Sequence, residues 1–260
     1  MLKLDRRKII ANLGMIGALF AAPSAHALNY YELEVYPYMT PAKGELELEA
    51  SATSTRRGTK VESDEGGNNQ GVMRSTLEVN YGVTDKTEVT AYADFINVPG
   101  EGSSFGGQRY HVRTRFFEKG ELPVDLGAYI ELEMPKHDED TKELEFRGII
   151  EKDIGNWTLD FNPMLEKVVR GANVSEGWYL KYAAAAIYRM SERIHPRLDF
   201  FGDFGRLKDF LPHDQQQHLL SPAVDIKLER GLHLLAGVAF GLTPASEQRL
   251  IRLKLEKEFY

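Results

Sequence analysis

The sequence predicts an all-β fold, an antiparallel transmembrane β-barrel of about twelve strands. Three observations carry this. Amphipathic segments recur along the chain with apolar residues on one parity and charged residues on the other. The connections between them alternate in phase between long polar loops and short turns, as outer-membrane barrels do. An export leader opens the chain, yet no later apolar run approaches the length of a membrane helix.

The leader spans residues 1–27. Lys3, Arg6, Arg7 and Lys8 form its basic end, Ile9 to Ala22 its apolar run, and Ala25-His26-Ala27 an A-x-A cleavage site. The run is short for an anchor helix, and the residues around Arg6-Arg7 fit a twin-arginine signal poorly, so ordinary secretion with cleavage near Ala27 is expected. The chain has no cysteine, which excludes a lipoprotein anchor, disulfides and thiolate chemistry. Its net charge of -7 argues against nucleic acid as a partner.

Residues 28–44 (LNYYELEVYPYMTPAKG) read as an extended segment ahead of the barrel, lying in the periplasm or in the lumen. The barrel itself is expected over 45–260. Its first six strands are placed near Leu46–Thr53, Arg74–Val83, Lys86–Phe95, Arg109–Glu118, Pro123–Met134 and Glu143–Asp153. The other six are Trp157–Val168, Gly177–Met190, His195–Gly205, Gln217–Leu228, Leu232–Leu242 and Gln248–Phe259. Ser54–Met73, Ile96–Gln108, Pro135–Lys142, Arg170–Glu176 and Arg206–Gln216 are the long loops, the first of them mobile, and Thr243–Glu247 is a short exception. This pattern places both ends of the barrel in the periplasm. Pro163 and Pro222 fall inside strands, where bulges or strand ends are expected.

The last strand, QRLIRLKLEKEFY, shows the alternation best. Ile251, Leu253, Leu255 and Phe259 share one parity, and Arg252, Lys254, Glu256 and Glu258 the other. An aromatic pair ends it, with Phe259 on the apolar parity and Tyr260 one residue out, resembling the signal read by barrel-assembly machinery. Across the chain, parity turns residues such as Leu77, Val79, Trp157, Phe161, Trp178 and Phe240 toward lipid. Near strand ends Tyr81, Tyr110, Trp157, Trp178 and Tyr188 form aromatic girdles. The opposite parity is ionic, and so many charges in a packed interior would each cost several kcal/mol unless paired. A wetted, salt-bridged lumen removes that difficulty. The candidate solute path is Arg113, Arg115, Glu131, Glu133, Arg147, Lys181, Asp199, Asp203, Asp225 and Lys227. Beside it Ala183, Ala185, Ser221, Ala223, Gly237, Ala239 and Gly241 make an inner wall of small residues, leaving free volume for a solute, for long charged chains opposite, or for the N-terminal segment.

No nucleotide loop, zinc motif or nucleophile elbow occurs. The acidic run His137-Asp138-Glu139-Asp140 lacks the oxygen spacing of a calcium loop, and His213 and His218 lack further ligands, so no metal or cofactor is expected. A barrel phospholipase would need an outward Ser beside a His. Ser221 points inward by parity, so no enzyme activity is expected.

The segments YELEVYPYMTPAKGELELEA, LEVNYGVTDKTEVTAYADF, HPRLDFFGDFG and LLAGVAFGLTPASEQRLIRLKLEKEF resemble a group of proteobacterial outer-membrane barrels grouped under meta-pathway phenol degradation. That resemblance implies passage of aromatic or other small hydrophobic compounds. The expectation is therefore a narrow outer-membrane channel for small solutes, in contact with lipid and lipopolysaccharide. The alternative is a structural or surface-interaction barrel that transports nothing.

Overall fold

The computed structural model describes residues 28–31, 33–59, 69–136, 141–171 and 173–259. The leader at 1–27, the loop at 60–68, the acidic run at 137–140 and Tyr260 lie outside the described residues.

The first strands are β1 (Leu46–Arg57), β2 (Met73–Thr84), β3 (Thr87–Val98), β4 (Gly102–Arg115), β5 (Asp125–Pro135), β6 (Lys142–Ile154) and β7 (Trp157–Arg170). They are followed by β8 (Tyr179–Tyr188), β9 (Ile194–Arg206), β10 (Asp209–Phe210), β11 (Gln217–Lys227), β12 (Leu232–Gly241) and β13 (Arg249–Phe259). β10 is a two-residue piece that pairs only with the end of β9. The remaining twelve pair antiparallel, each with its neighbours in sequence. β13 pairs with β1 from Leu46↔Phe259 to Arg57↔Arg249, which closes the barrel and leaves no free edge. Among the described residues no helix is long and apolar enough to cross a membrane.

The inversion predicted from parity is present. Leu77 and Val79 on β2 are 55% and 44% exposed, while Glu78 between them is 6% exposed. Glu131 and Arg147 are buried inside, and Trp157, Phe161, Leu253 and Leu255 stand outside. Exposed aromatics pair on the outer face, Trp157 with Tyr188 at 4.9 Å between ring centroids and Phe146 with Trp178 at 5.8 Å.

Two expectations need correction. The stretch 96–108 is no long loop. β3 and β4 continue into it as a hairpin, in register from Phe95↔Phe105 to Val98↔Gly102 after one irregularity at Asp94/Phe95. Pro163 and Pro222 bring neither bulges nor strand ends. Arg147↔Met164 and Ile150↔Phe161 keep one register on either side of Pro163, and Pro222 pairs with Leu198 in register. Opposite Pro163 a glycine makes the room: a Cβ on Gly148 would come 3.2 Å from the Pro163 ring.

Residues 28–41 run inside the barrel. Their start lies beside Gln217, at the long-loop end. Their finish turns into β1 beside Gly82, at the short-turn end. Gly44 donates to the Gly82 carbonyl (2.8 Å), and Gly82 donates to that of Glu45 (3.0 Å). The approach is so close that a Cβ on Gly82 would fall 1.9 Å from the Ala42 carbonyl oxygen. Gly82→Ala must move backbone, and we expect it to lose about 1–3 kcal/mol, the usual range for overpacking. Detergent unfolding by urea, with amide exchange at Gly44, reads this out. An unchanged midpoint would contradict the close crossing.

Candidate functional site

An extended segment with no strand beside it must find partners for its N–H and C=O groups elsewhere. Here the lumen wall supplies them from side chains. Leu28 N donates to Gln217 Oε1 (2.9 Å), Tyr36 N to Asn162 Oδ1 (2.7 Å) and Tyr38 N to Glu151 Oε2 (2.8 Å). Asn162 Nδ2 returns a hydrogen bond to the Tyr36 carbonyl (3.2 Å), Arg113 Nη1 reaches that of Pro37 (3.0 Å), and Arg252 donates to that of Leu33. Lys254 of β13 ties the segment to the seam strands, holding Glu34 at 2.5 Å and Glu49 of β1 at 2.9 Å. The Tyr36 hydroxyl begins a chain through Tyr92 (2.6 Å) and His111 (2.6 Å) to Glu88, which Arg113 grips at 2.6 and 2.9 Å.

The small-residue wall receives this segment. Leu28, Tyr30, Leu33 and Val35 form one buried apolar cluster with Ala183, Ala185, Ala239, Phe201, Leu219 and Leu250. Ser221 is fully buried and accepts from Arg252 Nη1 (2.8 Å). Of the three occupants the sequence leaves open for this wall, the N-terminal residues are the ones seated against it among the described residues. A cavity of 20 Å³ lies at this end of the lumen, beside Leu28, Arg147 and Lys181.

The open space lies at the other end. A cavity of 470 Å³ runs from Tyr31 and Thr53, past Glu34 and Tyr36, to the short-turn end, where Lys119, Arg189, Lys227 and Glu258 line it. Eleven carboxylates and seven Lys or Arg side chains border it, together with Leu33, Val35, Ile187 and Leu235. Lys119, in the turn before β5, binds Glu151 and lies 3.1 Å from Asp153. Burial alone would lower its ammonium pKa, but the hydrogen bonds and charges of Glu151 and Asp153 outweigh that and raise it.

Of the ten residues expected on a solute path, Arg113, Asp225 and Lys227 line this cavity. The others are held by ion pairs and hydrogen bonds within the packed part of the lumen. Arg115 turns to the Asp85 carbonyl and Glu118, and Lys181 binds Glu166 at 2.7 Å. Arg147 binds Glu145 at 2.7 Å and stacks over the Tyr36 ring, 4.7 Å from its centroid. Asp199 takes Arg197 (2.7 Å) and Arg252 (3.0 Å), Asp203 accepts from Gly205 N (2.7 Å), and Glu133 accepts from Asn29 (3.3 Å). Glu131 accepts from Tyr129 at 2.5 Å and lies 3.6 Å from Arg109, which is itself held by Asp94 at 2.9 Å. Parity alone did not single out Asp160, Arg197, Glu47 or Glu256 among the inward charges. What sets them apart is that they border the open cavity, and no sequence pattern carries that.

No family model matches the chain, and no curated protein matches it. The phenol-degradation grouping suggested by the sequence is thus without support from either comparison. Solved structures do match. An outer membrane channel from Pseudomonas putida F1 superposes with a TM-score of 0.65 at 12% identity, covering 88% of this chain and 100% of that one. The KdgM porin in complex with disordered oligogalacturonate gives 0.55 at 6% identity, over 83% of this chain and 99% of that one. The NanC porin gives 0.55 at 5% identity, over 83% and 98%. At such identities the likeness establishes the fold alone: a closed antiparallel barrel of the outer-membrane kind.

Proposed function

We propose that the chain is a bacterial outer-membrane channel for small solutes, with lipid and lipopolysaccharide against its apolar outer face. The observation that supports this best is the interior. A 470 Å³ cavity bordered by charged groups is space that water and polar solutes can enter, where a packed oily core would hold none. Channel function fits the structural neighbours, an outer membrane channel and two porins. Leu33, Val35, Ile187 and Leu235 give the cavity apolar surface as well, so a solute with a hydrocarbon part is compatible with it. Phe259, exposed at the end of β13, is the group we assign to recognition by barrel-assembly machinery, with Tyr260 beside it in sequence.

One observation favours a second reading. Leu28, Tyr30, Leu33 and Val35 occupy the long-loop half of the lumen, as they would in a barrel that transports nothing. Liposome swelling decides between them. Proteoliposomes carrying the refolded chain are expected to swell in arabinose faster than protein-free vesicles, with discrete current steps in planar bilayers. Neither swelling nor current would leave the structural barrel as the better account.

A further inference from the structure

We infer that the cavity at the short-turn end selects small organic cations, and that Asp160 and Asp225 are the carboxylates that meet them. This rests on the channel reading and names the solute class it passes.

The wall charges are not balanced locally. Arg113, Lys119, Arg197, Arg252 and Lys254 are each committed to a carboxylate at 3.0 Å or less. Arg189 holds Asp153 at 2.5 Å. Lys227, the last residue of β11, stands exposed at the mouth. The acids outnumber these bases, and one of them is left in an unusual state. Asp160 is only 4% exposed, lines the cavity, and takes no hydrogen bond from a Lys, Arg, amide or hydroxyl group among the described residues, the polar group beside it being the Glu151 carboxyl. A buried carboxylate left that way is costly unless a proton, a cation or water answers it. Its cross-strand neighbour is Glu151, another acid, whose two oxygens are taken by Lys119 and Tyr38 N. Asp225 also lines the cavity, and its Oδ1 lacks a donor among the described residues. Arg197 feels both charges, but its Nε is donated to Asp199.

The surroundings define the rest of the ligand. Leu235 is the cross-strand partner of Asp225, and Ile187 that of Thr158, two residues from Asp160; both reach the cavity. Carboxylates flanked by aliphatic side chains suit an ammonium group carrying a short hydrocarbon. A hydrated inorganic ion would leave that apolar surface unused, and an anion would meet an excess of like charge.

Reversal potentials in planar bilayers test this, using n-butylammonium chloride and potassium chloride gradients across the full chain. Butylammonium is expected to permeate at least about fivefold better than chloride, a ratio one uncompensated charge a few ångströms away can supply. Asp160→Asn with Asp225→Asn should remove most of that preference, with the heat-dependent shift in gel mobility showing that the variant barrel has closed. A permeability ratio near one with swelling intact overturns the inference and spares the channel. So does selectivity untouched by the two substitutions, the result expected if Glu151 and Asp160 merely share a proton. Potassium passing while butylammonium is excluded would overturn it as well. If the protein neither conducts nor swells vesicles, the channel reading fails. Saturation-transfer NMR of butylammonium with the detergent-solubilised chain then still decides: signal lost in Asp160→Asn supports the site, and no signal in either protein overturns it.

Discussion

A chain refolded as residues 42–260 will conduct at least about twofold more than the chain containing residues 28–41. A barrel of this size lies between those filled by their own side chains and those with open channels. The described lumen is narrowed in its long-loop half by Leu28, Tyr30, Leu33 and Val35, so their removal widens the way from the 470 Å³ cavity to the far end. Single-channel conductance measures the change, and the heat-dependent shift in gel mobility shows whether the shortened barrel has closed. Equal conductance from two closed barrels would mean that the segment does not limit passage.

Lys254→Met is expected to destabilise the folded barrel by about 3–5 kcal/mol, the range for removing one partner of a buried charge cluster. The ammonium stands among carboxylates from three strands and the N-terminal segment. Glu34 lies at 2.5 Å, Glu49 at 2.9 Å and Glu256 at 3.7 Å, and oxygens of Glu34, Glu49 and Glu78 come within 4.8 Å of one another. Without the ammonium these acids repel each other and cannot all stay ionised. Methionine keeps the length of the chain and removes only the charge. Reversible urea unfolding in detergent micelles measures the loss, and Lys254→Arg should recover part of it. A loss under about 1 kcal/mol would place the cluster with surface ion pairs, which contribute little.

The barrel was legible because its cause is local. Side chains alternate along a strand with period two, so Leu77-Glu78-Val79 states its own orientation, as does Arg252-Leu253-Lys254. Strand bounds followed within a few residues except at 96–108, where glycine-rich, polar residues continue a hairpin because backbone pairing does not require apolar side chains. The site was less legible. Parity says that Arg147 and Lys181 point inward, but it cannot say whether water or another side chain meets them there. That depends on where residues 28–36 lie, a contact between positions more than a hundred residues apart. The inward apolar residues Leu219, Leu235 and Leu250 were a usable signal. Greasy positions on the ionic parity need something inside the lumen to cover them, and Leu28, Leu33 and Val35 cover two of the three.

The seam between β1 and β13 also constrains the order of assembly. Once Leu46 through Arg57 have zipped to the final strand, nothing can slip sideways through the wall. The head of the polypeptide is either laid within the unfinished sheet before that last zipping or fed in afterwards through an open rim. Whatever is fused ahead of Leu28 would then emerge past the long loops, on the opposite rim from anything fused behind Phe259.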